Sequence, residues 1–389
     1  MRVFLIAGEP SGDKLGGALM AGLKALMPDV TFSGVGGPLM QAEGMESLFP
    51  MDELSVMGIA EIAPKYFHLK RRISETAAEV LKQSPDVLIT IDSPDFCLRV
   101  ARLVKAESDI RTVHYVAPTV WAWRAGRAEK MAKVIDQVLA LFPFEPPYME
   151  VAGMRCDFVG HPVVAEPQAT DDYAASFRAA NGISPEDPLI LALPGSRSGE
   201  VQRLADVFGE ALRVFAADHR AARVVVPAAA PVADQVKAQV AAWPGDPIVI
   251  DPRVGDAAAA LSTKRAAFRA ADIALAASGT VSLELAAAET PMVIAYDMSW
   301  LSRVIIKRML KVDTVTLVNL VAESRTVPEF LGADCKPAAI AAGLVDVFNH
   351  PDAQKQAIAL TMARLGRGGE APGLRAARAV LDALASANA

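Results

Sequence analysis

Short apolar runs alternate with helix-length stretches along almost the whole chain, and no other feature constrains the fold as strongly. Residues 3–7, 87–91, 112–116 and 138–142 are apolar at nearly every position rather than at every second one. That pattern belongs to strands buried on both faces, as in a parallel sheet. Helical stretches at 14–27, 70–82, 98–107 and 126–135 lie between them. Strand–helix–strand repetition predicts an open, doubly wound α/β sheet. The pattern breaks over 160–188, a stretch rich in Pro and Asp, and resumes with apolar runs at 189–193, 224–227, 248–251, 273–276 and 292–296. A second sheet of the same kind is expected there. From about Pro337 the chain reads as helices at 338–348, 352–365 and 374–385, with GRGGEAPG at 366–373 as a flexible joint. The expected organisation is a Rossmann-like domain over 1–165, a second over 166–350, and C-terminal helices over 351–389. Those last helices would pack back across the lobes or onto a second subunit.

Bulk properties remove several function classes. A chain of 389 residues with 52% apolar residues can fill two cores. A formal charge of −6 leaves no excess of Lys and Arg for general nucleic-acid binding. Cys97, Cys156 and Cys335 are far apart and sit among apolar neighbours, which reads as three buried free thiols. The opening MRVFLIAGEPSGD turns polar too early for a secretory signal, and no run reaches the ~20 apolar residues of a membrane span. A cytoplasmic protein is the expectation.

Ligands of open parallel sheets bind beyond the carboxyl ends of the strands, so the loops there carry the chemistry. The first holds Gly8, Glu9, Ser11, Gly12 and Asp13 in a turn that opens a helix. It either presents backbone N–H groups to an anion or is a plain turn capped by Ser11 or Asp13. It lacks the G-x-G-x-x-G of a nicotinamide enzyme, and no P-loop is present, which disfavours a dehydrogenase and a triphosphatase. Asp92 ends the run at 87–91, where a carboxylate can serve as general base or simply cap a helix. Asp95 suits a helix N-cap or an orienting group. Trp121 and Trp123 lie beside Arg124 in a loop, either walling a sugar or phosphate or plugging the top of the sheet.

In the second half, Gly195, Ser196 and Arg197 follow the run at 189–193. The small residues permit a turn that hugs phosphate, and Arg197 adds a permanent charge. Ser278, Gly279 and Thr280 follow the run at 273–276 and enter a helix carrying Glu284 one turn further on. Amides and a hydroxyl there suit a diphosphate, and the carboxylate suits ribose hydroxyls. The stretch SWLSRVIIKRMLKV at 299–312 places Arg303, Lys307 and Lys311 in one row with Arg308 beside it, and the region 54–72 sets Val56 and Met57 ahead of a basic cluster. Each is either a membrane-surface segment or an ordinary helix with solvated charges. The five histidines are scattered and no Asp-x-Asp follows a strand, so neither a metal nor a cofactor is expected.

Taken together, AGEPSGD (7–13), MGIAEI (57–62), IDSPDF (91–96), HYVAPTVWAWR (114–124), VGHP (159–162), LPGSR (193–197), ASGT with Glu284, and PMVIAY (291–296) resemble the lipid-A-disaccharide synthase family. The match runs over essentially the full length, and Ala117 and Thr119 depart from the family pattern without changing residue size. The resemblance implies an inverting two-lobed glycosyltransferase of the B type, with its site in the cleft between the lobes. It would join UDP-2,3-diacylglucosamine to 2,3-diacylglucosamine 1-phosphate, giving a β-1,6-linked disaccharide 1-phosphate and UDP. Carried over by motif, Asp92 becomes the base for the acceptor 6-hydroxyl and Arg197 the partner of the donor diphosphate. Asn319 and Arg325 are placed near the uracil or diphosphate, and the turn at 8–13 with Trp123 on the acceptor side. The family's association with the cytoplasmic face of the inner membrane favours the two basic segments as anionic-surface contacts. Homodimers formed by C-terminal exchange would use the joint at 366–373. Two other readings stand beside this one: a UDP-sugar 2-epimerase of similar plan, and a non-catalytic sugar- or lipid-binding protein.

Overall fold

The computed structural model of the chain describes residues 1–54, 59–122, 126–297 and 312–387, with only the backbone described for 59–65 and Ala387. Two compact units emerge, one formed by 1–165 together with 365–389, the other by 166–364.

The first unit is built on a parallel sheet of six strands: β1 (Arg2–Ala7), β2 (Thr31–Val35), β3 (Val87–Ile91), β4 (Arg111–Tyr115), β5 (Gln137–Ala140) and β6 (Arg155–Phe158). Their order in space is β2-β1-β3-β4-β5-β6. The central strands are buried at almost every position, which is why they are continuously apolar in sequence. Connections leave β1 toward β2 and then return past it to β3, so the winding reverses between β1 and β3.

The second unit repeats the plan with β7 (Leu189–Leu193), β8 (Arg223–Pro227), β9 (Ile248–Ile250), β10 (Ile273–Ala276), β11 (Met292–Tyr296) and β12 (Glu329–Leu331). The order is β12-β11-β10-β7-β8-β9, with the reversal between β7 and β10. Phe208, Leu212 and Phe215 of the helix Ser198–Asp218 pack with Ile340 and Leu344 of Pro337–Asn349 in one core.

The C-terminal segment is shared. Helix Asp352–Arg364 stays with the second unit, while Pro372–Ala387 lies in the first. There Ala376, Ala377 and Val380 join Leu19 and Leu23 of the helix Pro10–Leu26 in the core. The two helices touch backbone to backbone: a Cβ on Gly22 would stand 2.6 Å from the Gly373 carbonyl oxygen. Arg375 fastens the segment further, donating to the Phe158 carbonyl at 2.9 Å and lying over the Phe158 ring. Cys97 and Cys156 are buried free thiols as expected, but Cys335 is only half-buried. Among the described residues no helix is long and apolar enough to cross a membrane.

Candidate functional site

Both winding reversals bring together loops that the sequence marks. At the first, Ala7 of β1 pairs in register with Ile91 of β3, so the loops that begin with Gly8 and Asp92 leave the sheet side by side. A Cβ on Gly8 would meet Ser93 Oγ at 2.7 Å. Asp92, Ser93 and Val116 all have left-handed backbones, with φ of 51°, 43° and 87°. For a β-branched residue such as Val116 this is a true outlier, and such strain is stored mainly at functional sites. Neighbouring strands hold it in place: Asp92 N–H donates to the Tyr115 carbonyl and Val116 N–H to Leu139, each at 3.0 Å.

Glu9 takes the N-cap position of Pro10–Leu26 in extended conformation, while Ser11 and Asp13 lie inside that helix. Burial raises the Glu9 carboxyl above its usual range, and the negative charge of Asp92 raises it further. Two carboxylates therefore share this edge. Asp13 does something else. It is 3% exposed, and its oxygens accept from Gly37, Leu39 and Met40 N–H at 2.9–3.0 Å, capping the helix Pro38–Ala42. That carboxylate fixes the loop after β2. Gly12 is buried against Ala7 and Ile91, whereas Ser11 is exposed. Asp95 is not an N-cap either: Ser93 holds that position, and Asp95 lies in the helix's first turn.

Further along the same edge stands an aromatic group. Phe142 stacks on Phe144 at 5.4 Å, Trp121 meets Phe144 edge-on at 5.1 Å, and His161 lies 5.3 Å from Phe142. His161 Nδ1 accepts from Val163 N–H at 3.2 Å, which leaves the proton on Nε2. Burial, with the charge of Lys14, lowers its pKa to about 4, so the ring is neutral at physiological pH. Beneath this group Glu145 is buried and accepts from Leu141 and Phe142 N–H at 3.1 and 3.0 Å. Burial pushes its carboxyl up to about 7. Nothing in the run FPFEPPY singles out this glutamate.

At the second reversal, Leu193 of β7 pairs with Ala276 of β10, so the loops 194–197 and 277–280 emerge together. Gly195 has φ +122°, and a Cβ there would lie 2.7 Å from Glu200 Cβ. The turn closes around the Glu200 carboxylate. Its Oε2 accepts from Ser196 and Arg197 N–H at 3.2 and 3.4 Å, while Oε1 takes Arg197 Nη1 at 3.0 Å and the Tyr296 hydroxyl at 3.4 Å. Arg197 is the N-cap residue of the helix Ser198–Asp218 and is largely exposed. In the adjoining loop Gly279 and Thr280 are exposed, and Ser282 Oγ donates to the Gly279 carbonyl at 3.0 Å. Glu284, in the helix Val281–Ala287, is half-exposed and pairs with Lys264 Nζ at 2.6 Å.

Asn319 and Arg325 fall outside these loops. Asn319 is buried, and its amide donates to Thr314 Oγ1 and the Val327 carbonyl while its carbonyl accepts from Val327 N–H. Both of its donors are committed to bracing the segment that leads into β12. Arg325 pairs with Asp313. Of the basic region 54–72, Arg72 is turned inward onto Glu53 at 2.7 Å and over the Phe49 ring, while Phe67 is 82% exposed. Val56, Met57, Trp123, Arg303, Lys307, Arg308 and Lys311 lie outside the described residues.

Comparison with known proteins bears on this arrangement. Among solved structures the chain resembles a putative UDP-N-acetylglucosamine 2-epimerase from Listeria monocytogenes, with TM-score 0.64 and 14% identity over 99% of this chain and 96% of that one. It also resembles a glycosyltransferase from Rickettsia africae, with TM-score 0.58 and 13% identity over 99% and 97%. These likenesses establish a B-type glycosyltransferase-like fold and nothing finer. In sequence, the chain is 68% identical over 384 residues to the lipid-A-disaccharide synthase of Ruegeria pomeroyi, covering 99% of this chain and 96% of that one. The family profile described as Lipid-A-disaccharide synthetase matches residues 3–370. With both reversal-point loops intact inside that span, the chain belongs to the lipid-A-disaccharide synthase family of glycosyltransferases.

Proposed function

We propose that this enzyme transfers 2,3-diacylglucosamine from UDP to the 6-hydroxyl of 2,3-diacylglucosamine 1-phosphate, with inversion and without a metal. The observation that carries the reading is the near-complete match to the Ruegeria enzyme, whose name states the product. Asp92 accepts the proton of the acceptor hydroxyl, whose oxygen attacks the anomeric carbon from the face opposite the diphosphate. The bond from that carbon to the diphosphate oxygen breaks and UDP leaves. Arg197, with the N–H groups of loop 278–280, takes up the developing charge. Glu284 holds the ribose hydroxyls. The strained backbone at Asp92 and the exposure of Arg197 support these roles.

The decisive assay follows UDP release and disaccharide formation from the two lipid substrates, with and without chelator. Absence of disaccharide would sink the reading, and loss of turnover on chelation would remove only the metal-free mechanism. The solved epimerases share the fold alone, and production of a 2-epimerised UDP-sugar in the same assay would favour them instead.

The basic segments are proposed to hold the enzyme to an anionic membrane surface on the cytoplasmic side. Exposed Phe67, beside exposed Lys70 and Arg71, supports this. Neutralising Arg303, Lys307, Arg308 and Lys311 should abolish co-flotation with anionic liposomes; unchanged flotation would refute it. A homodimer that exchanges residues 365–389 is also proposed, and a purely monomeric mass by light scattering would exclude it.

A further inference from the structure

Glu200 is an unusual residue to find at the heart of a loop that should receive a diphosphate. Its side chain is only 12% exposed, and both carboxylate oxygens are engaged. One oxygen accepts the Ser196 and Arg197 amides, as the third residue of a helix does when it reaches back over the N-cap. That half of the arrangement explains helix capping and no more. The other oxygen reaches the Arg197 guanidinium at 3.0 Å and the Tyr296 hydroxyl at 3.4 Å. Capping requires neither contact. Tyr296 ends β11, two strands away from β7, and the negative charge of Glu200 adds to the burial that raises its phenol above the usual range.

We infer that Glu200 is a positioning residue for Arg197, clamping one edge of the guanidinium so that its remaining donors face the donor diphosphate. The inference rests on the assignment of Arg197 to that diphosphate. An exposed arginine samples many rotamers, and fixing it before the substrate arrives removes an ordering cost from the transition state. A carboxylate held on one edge of the guanidinium leaves Nε and Nη2 for phosphate oxygens. Gly195 makes the clamp possible, because any side chain at that position would strike Glu200.

A double-mutant cycle tests this. Glu200→Gln retains an oxygen for the two amides and so keeps the melting temperature, but loses the charge that orients Arg197. It should lower kcat/KM for the UDP-sugar roughly tenfold, chiefly through kcat. In an Arg197→Ala background the same change should alter kcat/KM by less than about twofold, because the group it orients is gone. If Gln lowers the melting temperature, Glu200→Asp keeps the charge but falls short of the guanidinium, and the cycle is read with that variant. An undiminished effect in the Arg197→Ala background overturns the inference, as does tighter donor binding by Glu200→Gln, which would make Glu200 a competitor of the diphosphate. Near-normal turnover by Arg197→Ala alone would instead remove Arg197 from the reaction, a failure of the underlying assignment that is read separately.

Discussion

The backbone at Asp92 and Ser93 costs on the order of 1–3 kcal/mol per residue relative to relaxed conformations, and the strands on either side keep it there. Removing the negative charge while keeping the shape isolates the chemical role. Asp92→Asn should reduce kcat by roughly 10²-fold or more and leave UDP binding largely intact, measured by steady-state kinetics and calorimetric titration. Glu145 gives a separate, thermodynamic expectation. Its folded pKa is near 7 against an ordinary 4.5, so the folded state favours the neutral acid. Below about 4.5 both states are protonated; as pH rises toward 7 the unfolded chain ionises first and stability falls, by roughly 3 kcal/mol in all. Glu145→Gln should remove that decline, seen as a flatter denaturant midpoint between pH 4.5 and 7 than in the parent. The loop positions of Asp92 and Arg197 were legible in the sequence because the one immediately follows, and the other lies four residues beyond, a continuously apolar strand. Glu145 and Glu200 were not, because a glutamate at a helix N-cap or in its first turn looks like any solvated one until the surrounding chain closes over it. The bracing role of Asn319 was hidden too, because a buried brace and a ligand contact call for the same amide.

At the scale of elements, the strands foreseen from apolar runs all form, with ends shifted by at most two residues. The three that were not foreseen, β2, β6 and β12, are all edge strands. An edge strand has one neighbour and more contact with water, so TFSGV, RCDF and EFL carry polar or small residues and no continuous run. The contact between helices Pro10–Leu26 and Pro372–Ala387 was equally hidden, since it depends on two glycines 351 positions apart in sequence (373 − 22). Gly22→Val should push those helices apart and cost about 1–3 kcal/mol, read as a lower melting temperature of the first unit. Substituting valine at the exposed Gly44 would be the wrong control because its φ is +97°. Alanine at Gly126, where φ is not positive and the space is open, is a suitable one.

For the whole molecule, the chain enters the second unit after Ala165 and comes back after Arg364. The last helix supplies Ala376, Ala377 and Val380 to a core otherwise made from the first 165 residues. A chain truncated after Arg364 should therefore lose the cooperative transition of the first unit. The separate segment 166–364, contiguous in sequence, should retain its own, and thermal melts followed by circular dichroism distinguish the two. This arrangement also sets a timetable at the ribosome. The second unit has all its residues as soon as Arg364 has emerged and can fold then, while the first waits, its core unfinished, for residues made last. A nascent chain ending at Arg364 and arrested through a fused linker long enough to span the exit tunnel should carry a protease-resistant second unit behind a protease-sensitive first one, so the loop bearing Arg197 takes shape before the sheet edge bearing Asp92.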